Sequence, residues 1–118
     1  MSIIKYSLII PCYNEEGNIE KLVSLCESVI RNDKVEIVFV DNGSSDNTNH
    51  KLSRLIKGQP KFKLIIVDVN CGYGHGIMQG IKACKGEVIG WTHADLQTDP
   101  NDFSMAVEQF EKRGVPNN

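Results

Sequence analysis

Residues 35–46 read VEIVFVDNGSSD, a nearly continuous apolar run followed by polar and small residues. The β-branched and aromatic side chains of Val35–Val40 favour a strand, and a short apolar run of this kind is typical of a strand that is covered on both faces of a parallel sheet. The Asp, Asn, Gly and Ser residues that follow favour turns and helix starts. This stretch therefore predicts a buried strand that ends in a polar loop.

Three further runs have the same character: Tyr6–Ile10, Leu64–Val67 and Val88–Trp91. Apolar residues with the helical period lie between and after the four runs. They are Ile19, Leu22, Val23, Cys26, Val29 and Ile30; Leu52, Leu55 and Ile56; Ile77, Ile81 and Cys84; and Phe103, Ala106, Val107 and Phe110. The resulting order, β-α-β-α-β-α-β-α, predicts an α/β layered domain with a mainly parallel four-strand sheet flanked by helices.

Helix boundaries are marked by capping residues. Ser45 or Asp46 can cap the second helix, and Gly58 can end it. Asp99 followed by proline predicts the start of the last helix, which we expect to end near Gly114 with no further element after it. Because we find no linker or internal repeat, residues 1–118 are predicted to form one domain.

Composition limits the class of protein. The chain of 118 residues carries 13 Lys and Arg against 15 Asp and Glu, a net charge of −2, which argues against a nucleic-acid-binding surface. Hydrophobic residues make up 41% of the chain, enough for a core. With no signal-peptide pattern before Lys5, we expect a cytoplasmic protein whose cysteines, Cys12, Cys26, Cys71 and Cys84, are reduced thiols, mostly in the core.

Polar residues gather where the predicted strands end. The segments that follow the strands are Pro11–Glu16, Asp41–Asp46, Asp68–Gly72 and Thr92–Gln97. Since the carboxyl ends of parallel strands meet at one edge, these segments predict a site for a polar, phosphorylated ligand. We expect Asp41 to face this crevice and to bind a base or a ribose, although the same residues could serve only as turn and cap.

The glycines of Gly72–Gly76 do not form a dinucleotide-binding fingerprint. Their spacing is G-x-G-x-G after the third strand, whereas the fingerprint is G-x-G-x-x-G after the first. The Lys-Ser/Thr pair of a P-loop is also absent from the sequence. The run therefore predicts a flexible turn that lets a helix approach the sheet closely.

Asp95 and Gln97 are the candidate metal ligands. On an extended segment their side chains, and that of His93, would point to one side. Two oxygen ligands suit Mg²⁺ or Mn²⁺, which can also hold a diphosphate. A zinc site from His75, His93 and the cysteines lacks the usual ligand spacing, and we assign Asp99 to the helix cap rather than to a metal.

Several motifs together resemble the family 2 glycosyltransferases of the GT-A fold, a Rossmann-like α/β fold. They are SLIIPCYNEE at 7–16, VDNGSSDNT at 40–48, NCGYGHGIMQG at 70–80, and ADLQ at 94–97 followed by Pro100. Within that family the chain is most similar to the branch of dolichyl-phosphate mannose synthase and similar bacterial enzymes. The resemblance covers Ser7 to about Pro100, with the motifs in the family's order.

This resemblance implies a nucleotide-sugar site. Pro11, Tyr13 and Glu15 would line the nucleoside pocket, with Val40 and Asp41 beside the base and the ribose. The implied reaction transfers a sugar from a UDP- or GDP-sugar to an acceptor, with inversion at the anomeric carbon. The implied acceptor is a polyprenyl phosphate or a glycan, in cell-envelope polysaccharide or glycolipid biosynthesis at the cytoplasmic membrane face.

The resemblance also implies a metal. Asp95 would be the metal-binding acid of a D-x-D-like element, Gln97 a second ligand, and Ala94 would line the phosphates. Mg²⁺ or Mn²⁺ would neutralise the charge that develops on the departing nucleoside diphosphate.

The chain departs from the family pattern in three respects. Asn42 stands where a second acid is usual, and His93 replaces the first acid of D-x-D. Family members also continue well beyond this length, with the acceptor site and the general base. We therefore expect a donor-binding half, with no credible general base of its own and an exposed edge that favours self-association.

Two other functions remain open at this point. One is a non-catalytic nucleotide-binding or docking domain. The other is a nucleotidyltransferase, which is disfavoured because no Gly-rich loop with Arg or Lys follows the first strand.

Overall fold

The computed structural model describes residues 3–113. Its elements follow the predicted order: β1 Tyr6–Cys12, α1 Ile19–Val29, β2 Val35–Asn42, α2 Thr48–Leu55, β3 Phe62–Val67, α3 Tyr73–Ala83, β4 Val88–Trp91 and α4 Asn101–Arg113. The expected end of the last helix at Gly114, and the segment after it, lie outside the described residues.

The four strands form one parallel sheet in the order β3-β2-β1-β4. This confirms the predicted fold class. β1 and β2 occupy the centre, and every residue of both strands is buried, which explains their nearly continuous apolar sequence.

Both central strands extend further than predicted. β1 and β2 stay paired as far as Cys12 and Asp41, so the predicted strand ends at Ile10 and Val40 are each two residues short. Pairing between neighbouring strands carries polar residues into the sheet that sequence alone assigns to a loop. Asp41 and Asn42 are therefore held by the sheet rather than by a flexible turn.

Helices cover the two faces of the sheet. The larger core lies between the sheet and the face of α1, α2 and α4, and the smaller core lies under α3. α3 approaches the sheet closely through Gly80, where a Cβ would lie 2.6 Å from Cγ2 of Ile9. Helical periodicity misplaces one residue: Ala106 is exposed, because α4 packs through Phe103, Val107 and Phe110.

The four cysteines are free thiols, but they are not all in the core. Cys12 and Cys26 are buried, and burial raises the pKa of both thiols. Cys84 is half-buried and Cys71 is exposed, because Cys71 lies in the loop before α3. Within residues 3–113, no helix combines the length and the apolar character needed to cross a bilayer.

Candidate functional site

The carboxyl ends of the strands form one edge of the sheet, and two adjoining cavities lie there. The acidic cavity, of about 240 Å³, is lined by Pro11, Tyr13, Glu15, Tyr73, His93, Ala94 and Asp95. The amide cavity, of about 200 Å³, is lined by Pro11, Cys12, Tyr13, Asn42, Asn70 and Tyr73. A further cavity of about 270 Å³ lies at the start of α4 and includes none of the predicted site residues.

The acidic cavity gathers most of the predicted site. Pro11, Tyr13 and Glu15 come from the end of β1 and its loop, and Ala94 and Asp95 come from the loop after β4. These segments lie far apart in the sequence, but β1 and β4 are neighbours in the sheet. The expected convergence of polar strand ends is therefore confirmed for these two strands.

Val40 and Asp41 are buried, and neither lines the acidic or the amide cavity. Val40 is fully buried in the core under α3. Asp41 is only 3% exposed, and its Oδ1 accepts a hydrogen bond from the backbone N–H of Ser44 at 3.1 Å. That contact is the turn chemistry we considered as the alternative, and a contact of Asp41 with a nucleoside stays a prediction.

The segment around Asp95 is a turn, so the predicted extended geometry is wrong. The backbone N–H of Gln97 donates to Oδ1 of Asp95 at 3.1 Å, and Leu96 between them has φ +66°. An Asp side chain commonly bonds to its own backbone two residues on, which closes a turn. Strand alternation therefore does not apply here, and Gln97 does not line the acidic cavity.

Two loops at this edge are joined through Asn14. It adopts left-handed backbone with φ +50°, and its Oδ1 accepts from the backbone N–H of Ser45 at 2.8 Å. Its own N–H donates to the hydroxyl of Ser44 at 3.0 Å. The loop after β1, which carries Tyr13 and Glu15, is thereby held against the loop after β2.

Asp46 reinforces the same junction. Its Oδ1 accepts from the backbone N–H of Thr48 at 2.9 Å, at the start of α2, and its Oδ2 accepts from the N–H of Glu16 at 3.3 Å. Burial opposes ionisation there, but hydrogen bonds from the Thr48 hydroxyl and from backbone N–H groups outweigh it and hold the pKa of Asp46 below its usual value. Asp46 therefore has a structural role, but the predicted cap at Ser45 or Asp46 is wrong, because the N-cap of α2 is Asn47 and Asp46 lies one residue before it.

Tyr73 and His93 are wall residues to which the sequence motifs gave no role. Their rings stack with centroids 4.9 Å apart and an interplanar angle of 19°, which joins the start of α3 to the loop after β4. Burial, and next the negative charge of Asp95, raise the pKa of the Tyr73 phenol. The only signal in the sequence is an aromatic residue within a run of glycines, and that run begins a helix at Tyr73 rather than forming a turn.

Asn42 ties the end of β2 to the start of α3. Its side chain is 3% exposed, and its Nδ2 donates to the carbonyl oxygen of Gly72 at 3.1 Å. Within the described residues, its Oδ1 is buried without a hydrogen-bond partner. Gly76 lies against this amide, because a Cβ there would be 2.9 Å from Nδ2. The amide is thus fixed between strand and helix.

Charge distribution defines what the acidic cavity can bind. Its described lining includes two carboxylates, Glu15 and Asp95, and neither Lys nor Arg. A diphosphate would be repelled there unless a cation accompanied it. Within residues 3–113 there is also no cluster of three His, Cys, Asp or Glu that could hold a metal alone, so oxygen atoms of the ligand itself would have to complete a coordination sphere.

Sequence comparison with known proteins shows the family to which the chain is similar. A family model described as "Glycosyl transferase family 2" matches residues 7–115. An undecaprenyl-phosphate 4-deoxy-4-formamido-L-arabinose transferase of Pseudomonas fluorescens is 36% identical over 111 residues, which is 90% of this chain and 32% of the relative. A dolichol-phosphate mannosyltransferase of Pyrococcus furiosus is 34% identical over 108 residues, 92% of this chain and 30% of the relative. The chain thus spans about a third of the length of these relatives.

Solved structures give the same fold. The mannosyltransferase PcManGT from Pyrobaculum calidifontis, in complex with GDP-Man and Mn²⁺, is 26% identical with a TM-score of 0.78, over 90% of this chain and 32% of that one. Residues 1–349 of Staphylococcus aureus TarS, in complex with UDP-GlcNAc, are 22% identical with a TM-score of 0.73, over 92% of this chain and 32% of that one. The second likeness concerns the fold alone.

Proposed function

This chain belongs to glycosyl transferase family 2, and from that premise we propose that residues 1–118 form a donor-binding domain, in which the acidic and amide cavities bind a UDP- or GDP-sugar together with Mg²⁺ or Mn²⁺. The whole protein would then transfer the sugar to an acceptor, with inversion at the anomeric carbon. The observation that carries the proposal is a cavity with carboxylates, aromatic walls and neither Lys nor Arg in its described lining, at the carboxyl edge of a parallel sheet.

The nucleoside would lie against the part of the wall that both cavities share. Pro11, Tyr13 and Tyr73 line both cavities, and aromatic faces stack well on bases. Glu15 would accept hydrogen bonds from ribose hydroxyls. Val40 and Asp41 would lie beside the base and the ribose.

The residues present fit a divalent cation. Asp95 uses one carboxylate oxygen for the turn with Gln97, and within residues 3–113 no protein group hydrogen-bonds to its other oxygen. We propose Asp95 as the metal ligand from the wall of the acidic cavity, with Ala94 beside the phosphates. Gln97 would become a second ligand by turning its exposed side chain towards the cation from outside the lining. When bound, the cation would supply electrostatic stabilisation of the departing diphosphate.

The proposed acceptor is a polyprenyl phosphate. Two of the relatives carry undecaprenyl phosphate or dolichol phosphate in their names. A phosphate acceptor is already anionic at neutral pH, so its attack needs no general base. An acceptor of this kind would bring the whole protein to the cytoplasmic membrane face.

Calorimetric titration of UDP and GDP into the chain tests the proposal. We expect Mn²⁺ or Mg²⁺ to raise the affinity for at least one nucleotide by about tenfold or more, equivalent to about 1.4 kcal/mol. Asp95→Ala should remove this dependence on metal, because it removes the charged ligand. Glu108→Ala, which changes an exposed acid on α4, is the matched control and should behave like the unaltered chain.

Equal affinity of both nucleotides in metal and in chelator would contradict the proposal. A metal dependence that persists in Asp95→Ala would place the cation elsewhere.

A further inference from the structure

His93 contributes a ring nitrogen to the divalent cation of the acidic cavity, we propose, and thereby makes this site favour Mn²⁺ over Mg²⁺. This inference rests on the proposed function, because it concerns the same cation. It adds a ligand and a metal preference that neither the family motif nor the relatives' names assign.

The position of His93 is the first argument. It lies two residues before Asp95, and both side chains line the acidic cavity. The turn at Asp95 already occupies one of its carboxylate oxygens. A cation held by Asp95 therefore needs further ligands. His93 and Gln97 both lie two residues from Asp95, but only His93 also lines the acidic cavity.

The stack with Tyr73 is the second argument. Stacking at 4.9 Å and 19° uses the face of the imidazole, and both ring nitrogens lie at the edge of the ring, outside that contact. Within residues 3–113, no protein group hydrogen-bonds to either nitrogen. Tyr73 therefore restricts the ring and leaves its edge open, so that one nitrogen would bind the cation while the other donates its N–H to water.

The scarcity of other ligands is the third argument. The described lining of the acidic cavity has three residues of types that commonly bind metals: Glu15, His93 and Asp95. These three do not form a site that could hold an ion in the absence of a bound nucleotide. Gln97 lies outside the lining. One nitrogen, one carboxylate oxygen and the oxygens of a diphosphate would make a mixed coordination sphere.

The metal preference follows from the chemistry of the donor atoms. Mg²⁺ takes oxygen ligands in near-ideal octahedral geometry, whereas the divalent first-row transition metals, of which Mn²⁺ binds most weakly, also bind at sites with nitrogen donors. Where the resembling motif has an acid, this chain has His93. An all-oxygen site would suit Mg²⁺ better than a site with a nitrogen donor.

Pulsed electron paramagnetic resonance of Mn²⁺ with UDP or GDP bound to the full chain tests the inference directly. We expect nitrogen modulation from an imidazole in the unaltered chain and its loss in His93→Asp. His75→Gln, which removes an exposed histidine on α3, is the matched control and should keep the modulation. His93→Gln, which has no ring nitrogen and is closer in size, is the second variant in case His93→Asp does not fold.

Calorimetry gives the second readout. The ratio of nucleotide affinity in Mn²⁺ to that in Mg²⁺ should fall by about tenfold in His93→Asp. In Tyr73→Phe, which keeps the stack, the ratio should not change, whereas Tyr73→Leu should lower it. The ratio is the useful quantity because Tyr73 also lines the proposed nucleoside site, so its loss would weaken nucleotide binding in both metals alike.

Two results would overturn the inference. In the first, nucleotide binding depends on metal and on Asp95, but the unaltered chain shows no nitrogen modulation and the Mn²⁺ to Mg²⁺ affinity ratio is unchanged in both His93 variants. That result would refute His93 as a ligand and leave the proposed function intact. An unaltered chain without metal-linked nucleotide binding would overturn both.

Discussion

Replacing Asn14 by alanine should loosen the junction between the loop after β1, which lines the acidic cavity, and the loop after β2. Asn14 has φ +50°, and its Oδ1 accepts from the backbone N–H groups of Ser45 at 2.8 Å and Asp46 at 3.4 Å. Alanine removes the acceptor and also has to adopt left-handed backbone, which asparagine tolerates better than other residues with a Cβ. The variant should therefore lose stability and hold Tyr13 and Glu15 less firmly.

The magnitude follows from two contributions. Loss of the hydrogen bonds at this exposed position should cost about 1 kcal/mol. Left-handed backbone in alanine should add about 1 kcal/mol. Asn14→Gly separates the two, because glycine lacks the acceptor but adopts positive φ without strain. We expect Asn14→Ala to be about 2 kcal/mol, and Asn14→Gly about 1 kcal/mol, less stable than the unaltered chain.

Urea unfolding followed by circular dichroism measures these differences, and nucleotide titration in Mn²⁺ measures the effect on the site. If both variants stay within the roughly 0.5 kcal/mol of an ordinary surface substitution, the loops are not joined through Asn14 as described. Equal stability of the two variants would instead argue against left-handed backbone at this residue.

Two further predictions concern stability. A Cβ at Gly80 would lie 2.6 Å from Cγ2 of buried Ile9, whereas a Cβ at Gly74 in the same helix would meet nothing within 4 Å. Gly80→Ala should therefore be about 1–3 kcal/mol less stable than Gly74→Ala, as measured by urea unfolding. Equal stability of the two variants would contradict the close approach of α3. Hydrogen bonds from Lys34, and then from Tyr6 and Lys5, lower the pKa of Glu111 from 4.5 to about 2, so its stabilising effect is present above pH 4.5 and is lost as the pH falls towards about 2. The free energy of unfolding of Glu111→Gln should change less over that pH interval than that of the unaltered chain. Parallel pH profiles for the two proteins would refute the role of ionised Glu111 in stability.

Much of the fold follows from the sequence, because the central strands are buried on both faces. In β1 and β2 the apolar pattern reports burial directly, so the order of elements and the parallel sheet could be predicted.

Glu36 shows the limit of predicting burial from apolar pattern alone. It is the one charged residue in the predicted strand Val35–Val40, yet it is 2% exposed. Ser7 Oγ at 2.6 Å, Lys85 N at 2.6 Å and Lys63 Nζ at 2.9 Å satisfy its carboxylate.

The candidate site, like the fold, could be predicted only in part from the sequence. The segments that build it could be predicted, because parallel strands bring their carboxyl ends together. Contacts between distant loops could not, because neither the bond of Asn14 to Ser45 nor the stack of Tyr73 on His93 has a local signal. The turn at Asp95 escaped prediction because positive φ at Leu96 is unusual for a residue of that type.

Paramagnetic broadening of amide signals by Mn²⁺ in the presence of UDP or GDP tests the central claim most directly. The claim is that a metal and a nucleotide meet at the carboxyl edge of the sheet. We predict that the backbone amides of Tyr13, Glu15, Ala94 and Asp95 broaden first with Mn²⁺ and nucleotide together, while that of Glu111, on the far part of α4, stays sharp. Broadening centred on other residues, or the same broadening by Mn²⁺ with and without nucleotide, would contradict the account.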